Sequence, residues 1–358
     1  MSPEEQRVLN RRPGGGERAR TIYYASNSNF EQSLDVYVPS SPLSAGCPPL
    51  PLVVLVVGSA WLGHRSIIYA GTSWWNSSGP RAVAGTGAVC VCVRHRGAFP
   101  RSPPWYVTAV LALVFWPAFP FVLLVALAWY FAARGAATHD DMLEDVCTAL
   151  KWVLANRATT LSQAAPAADG CHAAAAAASA ASSSPPPTLV FGGYSSGAHV
   201  AVSLLQRPEL LAASELPPPS ELCSGVLLLS GVLGTRLTQP RTSAASPALT
   251  DIILRACWGS TAAAALPSPV HSAERSPPLP HLLLGCEHEV FGLPLVEAAM
   301  NDVLFCSREF TRRLVARGVS AELVEVRSDH WFVLGSKVLH DALMQALCVR
   351  GWPNTGST

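Results

Sequence analysis

Charge is scarce in this chain. Only 14% of its residues are Asp, Glu, Lys or Arg, and 25 basic against 24 acidic side chains leave a formal net charge of +1. A nucleic-acid partner would demand a basic face to displace counterions from phosphates. No cluster of Lys and Arg interleaved with aromatics occurs, so nucleic acid is excluded as a partner. Cysteine occurs at 10 positions but never as C-x-x-C, which leaves no zinc-ribbon or dithiol redox pattern. Residues 1–20 are polar with scattered Arg and Glu; they read as a disordered N-terminus without the apolar core of a secretory signal. No internal repeat is present. These absences point to a reducing, cytosol-facing domain.

Apolar residues, by contrast, are abundant. Mean hydropathy is +0.28, and one segment accounts for much of it. Trp105 to Ala133 carries no charged residue, with Trp105, Tyr106, Trp129 and Tyr130 at its ends and Arg101 and Arg134 outside them. That is enough for one membrane span of about 20 residues and too little for two. Aromatics at both ends match the belt found at membrane interfaces. A buried helical hairpin, or a lid over an apolar pocket, is the alternative. Pro117 and Pro120 lie mid-segment and would break a straight helix.

Around this segment the pattern alternates strands and helices. Thr21–Pro39 reads as an opening pair of strands. Leu52–Val57 and Gly87–Val93 are continuous apolar runs, the mark of strands buried on both faces of a parallel sheet. His139–Ala155 has helical spacing, with Asp140, Asp141, Glu144 and Asp145 in its first turns where the helix dipole favours them. Residues 164–187 are an Ala/Ser/Pro-rich insertion without a packing pattern. Gly225–Leu229, Leu282–Leu284 and Ala321–Val326 are further strands, with a helix from Asp302 to Arg317 between the last two. The expectation is one α/β domain over 21–350 with a mostly parallel central sheet flanked by helices. Insertions at 105–133 and 164–187 interrupt it, and 351–358 form a tail.

The chemistry sits at Gly193-Tyr194-Ser195-Ser196-Gly197, a G-x-S-x-G placed between an apolar strand and an Ala-rich helical segment, Ala198–Leu205. That order is the context of a nucleophile elbow. A serine hydroxyl attacks only when a base removes its proton and a third group orients the base. The base is expected at His330, in Ser328-Asp329-His330-Trp331-Phe332 after the last strand. The acid is expected in Gly285-Cys286-Glu287-His288-Glu289-Val290-Phe291: Glu289 is preferred because Val290 and Phe291 can anchor it, with Glu287 as the alternative. Main-chain donors for the oxyanion are expected at Ser196 and in the Gly58–Ser59–Ala60 turn, at Ser59 or Ala60. Such a triad implies neither metal nor cofactor.

The segments Leu34–Pro39, Gly58-Ser59-Ala60-Trp61, Arg94–Pro100 and Gly193–His199 together resemble the carboxylesterase branch of the α/β-hydrolases. Within it the chain is similar to membrane-associated prenylcysteine methylesterases, through their Gly-Gly-Ala-Trp loop and Tyr-Arg-Asn-Phe-Pro segment. The resemblance implies Ser195 as nucleophile, His330 as base and Gly58 and Ser59 in the oxyanion loop. Ser59 replaces that family's second glycine, and the Asp position of its acid motif falls on His288.

The oxyanion loop precedes the apolar stretch and Ser195 follows it, so a single membrane crossing would separate them. A re-entrant or shallow hairpin is therefore expected, holding a cytosolic catalytic domain on an endomembrane such as ER or Golgi. The functional expectation is a serine hydrolase of an apolar or lipid-like ester, with a prenylcysteine methyl ester as the specific substrate. The same machinery would serve an acetyl-ester, acylglycerol or formamide hydrolase. From another class, an inactive hydrolase fold that binds at a membrane would fit the altered oxyanion loop.

Overall fold

Apolar runs with β-branched residues form the centre of the molecule. The computed structural model describes residues 17–26, 29–39, 52–59, 61, 63–64, 78–98, 137–157, 189–234, 266–286, 302–328, 332–335 and 337–345. Eight strands build one sheet: β1 Glu17–Tyr23, β2 Ser33–Val38, β3 Leu52–Val56, β4 Val89–Val93, β5 Leu189–Tyr194, β6 Gly225–Leu229, β7 His281–Cys286 and β8 Ala321–Val326. Their order is β1-β2-β4-β3-β5-β6-β7-β8. The pairs β1–β2 and β2–β4 are antiparallel, and the rest of the sheet is parallel.

β1 begins at Glu17, inside the stretch expected to be disordered. The correction has a simple cause. An edge strand is stabilised by pairing its backbone, here Glu17 with Val38 and Arg18 with Tyr37, and so needs no apolar run of its own.

Alternate side chains of the buried strands enter two cores, as the two-residue period of a strand requires. Leu52, Val54, Val56 and Phe191 face one core, with Met142, Val146, Val200, Leu204 and Phe310. Those partners belong to helices α2 His139–Ala155, α3 Ser196–Leu205 and α6 Asp302–Ala316. Val53, Leu55, Tyr194 and Leu229 face the other core, with Ala82, Val83, Leu339 and Leu343. These come from helix α1 over 78–85 and from α7 Lys337–Met344. Two short helices, α4 Pro208–Ala213 and α5 Pro219–Leu222, place Leu211 and Leu222 on the first core. The result is a three-layer α/β/α domain.

The antiparallel end is fastened to the parallel part by buried charge. Arg94, just past β4, pairs with Asp35 of β2, with both side chains at most 5% exposed. Arg94 also donates to Ser33 Oγ (2.9 Å) and lies 4.4 Å over the Phe30 ring. Thr21 Oγ1 donates to the other Asp35 oxygen at 2.6 Å. Next along the chain, Arg96 donates through Nε and its main-chain N–H to buried Asp145 of α2, at 2.9 and 2.8 Å. α2 itself starts with a reciprocal cap, Asp141 N–H to Thr138 Oγ1 and Thr138 N–H to Asp141 Oδ2.

The apolar stretch 105–133 and the insertion 164–187 lie outside the described residues. Among the described residues, no helix is long and apolar enough to cross a membrane.

Candidate active site

The parallel strands end in register, which brings their following turns together. Val56 pairs with Gly193, Tyr194 with Leu229, Leu229 with Leu284, and Cys286 with Val326. Ligand sites in open α/β sheets form at these carboxyl ends.

Ser195 follows β5 directly, at φ 55° and ψ −125°, and is the N-cap of α3. A positive φ is uncommon for a residue bearing a Cβ and persists where the surroundings over-determine it. Here they do. The Ser195 N–H donates to Leu229 O (3.0 Å), and its carbonyl accepts from Ala198 and Val232 (3.1 Å each). The flanking glycines leave no room for a side chain. A Cβ on Gly193 would sit 2.5 Å from the Gly197 carbonyl carbon, and one on Gly197 would run into Val56 O. Gly58 packs the same way, with its missing Cβ 2.6 Å from Ser195 Cβ. The serine is thus held on a sharp turn between β5 and α3, half-buried, as the pentapeptide led one to expect.

Ser196 is fully buried, and its hydroxyl accepts two main-chain N–H groups from the turn after β3. Ser59 N–H donates at 2.9 Å and Trp61 N–H at 3.4 Å. The Ser196 N–H itself heads α3 and has no hydrogen-bond partner among the described residues. Gly58, Ser59 and Ser196 therefore stand together beside Ser195. Ala60 lies outside the described residues.

His330, Glu287, His288 and Glu289 also lie outside the described residues. Their flanks are described. Ser328, past β8, is buried, and the turn Phe332–Gly335 places Val333 and Leu334 in the same core as Tyr194. Cys286, the last residue of β7, lies opposite Val326, the last of β8. The stretches that carry the expected acid and base thus follow the ends of two neighbouring strands, β7 and β8.

Sequence reasoning missed what lies beneath the turn after β3. Four imidazoles are buried there: His64, His95, His139 and His199. His64 and His95 meet edge to face at 5.1 Å, His139 and His199 at 5.0 Å, and Trp61 stands 5.3 Å from His199. His199 Nε2 hydrogen-bonds Pro267 O (2.9 Å) and His95 Nδ1 bonds Arg96 O (2.7 Å). Burial lowers the pKa of all four, pushing His199 down to about 4 despite its carbonyl partner. The cluster is therefore uncharged at neutral pH. The positions are far apart in sequence, and His199 alone, one turn past Ser196 on α3, could have been placed near the site from spacing. Among the described residues, no group of three or more His, Cys, Asp or Glu is arranged to hold a metal ion.

No protein-family model matches the chain, and no curated protein matches it in sequence. Solved structures are similar in fold. Esterase B of Lactobacillus rhamnosis, crystallised with a C4-C4 SN3 tributyrin phosphonate, is 13% identical with a TM-score of 0.54. That match covers 94% of this chain and 88% of the esterase. A point mutant of esterase rPPE is 16% identical with a TM-score of 0.51, over 96% of this chain and 88% of the other. At such identities the likeness is one of architecture. Taken with the strand order and the turn at Ser195, it shows that this chain has the α/β-hydrolase fold of those esterases.

Proposed function

We propose that the chain is a serine hydrolase of carboxylic esters. The observation that carries this reading is the strained turn at Ser195, held at φ 55° between glycines that admit no side chain. Strain of this kind is retained where a hydroxyl must be presented at the mouth of the sheet. In the proposed reaction Ser195 Oγ attacks the ester carbonyl while His330 takes its proton. Glu289, or Glu287, orients the imidazole. The oxyanion is met by the Ser196 N–H and by a main-chain donor of the turn after β3 other than Ser59, whose N–H is held by Ser196 Oγ. His330 then protonates the leaving alcohol, and water, activated by the same imidazole, releases the acid. No step calls for a metal or cofactor.

The substrate class follows from the stretch 105–133. Its apolar composition, with aromatics at both ends, supports contact with a bilayer. The described residues that flank this stretch meet, with Ala137 N–H donating to Gly97 O at 3.2 Å. That place adjoins the site, because Ala98 N–H donates to Trp61 O at 2.7 Å. Flanks that meet so closely suit a re-entrant hairpin rather than a single crossing, which would set the catalytic mouth at the surface of an endomembrane. An apolar, lipid-partitioned ester fits such a location, and a prenylcysteine methyl ester is the specific proposal. Short-acyl or acylglycerol esters are the second reading, favoured by the tributyrin phosphonate held by the Lactobacillus rhamnosis esterase.

The test is fluorophosphonate labelling of the full chain, with the adduct mapped by mass spectrometry. Labelling at Ser195 that is lost in Ser195→Ala and His330→Ala supports the reading. Folded protein that takes no adduct would turn the proposal towards an inactive binding protein. Relative turnover of a prenylcysteine methyl ester and a butyrate ester then separates the two substrate readings.

A further inference from the structure

We propose that the side chain of Ser196 is a positioning residue for the oxyanion hole, a role distinct from that of its main-chain N–H and resting on the hydrolase reading above. A fully buried hydroxyl needs a reason to be buried, and here the reason is the turn after β3. Two main-chain N–H groups two residues apart, those of Ser59 and Trp61, converge on the one oxygen at 2.9 and 3.4 Å. N–H groups of one turn that close on one point form a concavity suited to an oxygen atom. The Ser196 hydroxyl fills it.

The turn needs such an anchor. Trp61 holds a φ of 61°, a left-handed conformation unfavourable for an aromatic residue. It persists because the turn is fastened on several sides. Ala98 N–H donates to Trp61 O, the indole lies edge-on to His199, and His64 N–H donates to Glu31 Oε1 at 3.1 Å. Ser196 is the one of these anchors that belongs to the nucleophile's own turn. It couples the position of the β3 turn to that of Ser195, so the turn's remaining main-chain donors and the attacking oxygen keep a fixed separation. An alanine at this position would leave both N–H groups without their acceptor and let the turn drift from the elbow.

Displacements of about 1 Å in such a donor set cost on the order of 100-fold in rate. Ser196→Ala should therefore lower kcat by roughly 10- to 100-fold and change KM by less than about threefold, since ground-state binding does not use the oxyanion contact. The decisive measurement compares two inhibitors. A trifluoromethyl ketone forms a hemiketal with Ser195 and carries the oxyanion; the matching methyl ketone binds without forming it. The alanine variant should lose roughly 10- to 100-fold in affinity for the first and hold the second within about threefold. Equal losses for both, no loss for either, or a rise in kcat would overturn the proposal. If the alanine variant does not fold, the isosteric pair Ser196→Thr and Ser196→Val isolates the hydroxyl. Threonine should keep the trifluoromethyl ketone affinity and valine should lose it, and equal affinities overturn the role. Parent protein with neither turnover nor a Ser195 adduct overturns the hydrolase reading itself, an outcome distinct from an active parent that tolerates alanine.

Discussion

A Cβ added to Gly197 would run into the carbonyl oxygen of Val56, so helix α3 lies against β3 with no space for a methyl group. The prediction concerns both flanking glycines. Gly197→Ala and Gly193→Ala each force backbone against backbone, which no rotamer change relieves. Overpacking of this kind costs about 1–3 kcal/mol. The displaced Ser195 should also lose at least about 100-fold in hydrolytic rate. Chemical denaturation together with esterase assays of the two variants checks this; unchanged rates would mean that the elbow is looser than its geometry.

Ser195 itself stands where a glycine would be more at ease. Its φ of 55° and ψ of −125° cost on the order of 1–3 kcal/mol for a residue with a Cβ. Ser195→Gly should therefore abolish the reaction and raise the stability to denaturant, by about 1 kcal/mol after the loss of side-chain contacts. Ser195→Ala keeps the Cβ and should abolish the reaction without that gain. The contrast between the two variants is the test, because loss of activity alone does not report strain.

Arg94 and Asp35 form the pair whose loss should be most damaging outside the site. Both are almost fully buried, and removing one partner leaves the other as an uncompensated charge, at about 3–5 kcal/mol. Asp35→Ala and Arg94→Met should each unfold the domain at markedly lower urea. The double variant should be more stable than either single one, since no buried charge remains. A double-mutant cycle measures the difference directly.

These cases show what could be read from sequence and what could not. The buried strands were legible because Leu52–Val56 and Val89–Val93 are unbroken apolar runs, and the elbow because G-x-S-x-G stood between a strand and a helix. Helix α1 over 78–85 was not, since Gly79 and Pro80 open it and the burial of Ala82, Val83 and Ala84 holds it in place. The Arg94–Asp35 pair was hidden by a separation of 59 residues, which the antiparallel pairing of β2 with β4 closes. The hydroxyl of Ser196 carried no signal at all. Its role depends on where the turn after β3 lands, which only the packing of β3 against β5 decides.

The buried histidines make the domain sensitive to mild acid. Burial pushes His199 and His281 down to about 4, against an ordinary value of 6.5, and lowers His64, His95 and His139 as well. Below pH 6.5 the unfolded chain takes up protons that the folded imidazoles refuse, so the unfolded state gains. Stability from these groups is therefore complete above about pH 6.5 and is lost as the pH falls towards 4. A drop from 6.5 to about 4 corresponds to roughly 3 kcal/mol for each of His199 and His281. Carboxylates with lowered pKa, such as Glu309 at about 2, lose their share only below their ordinary value of 4.5, at the foot of this window. His281 offers the cleanest check. It lies at the start of β7, away from the strand ends that form the site, with Nδ1 2.6 Å from Leu279 O and its ring 6.1 Å from that of Phe310. Asparagine can replace the Nδ1–H donor without titrating. His281→Asn should flatten the dependence of the urea midpoint on pH between about 6.5 and 4.5 and leave activity at about pH 7.5 unchanged. A midpoint that falls as steeply in the variant as in the parent would assign the acid sensitivity to the histidine cluster beneath the turn after β3 alone.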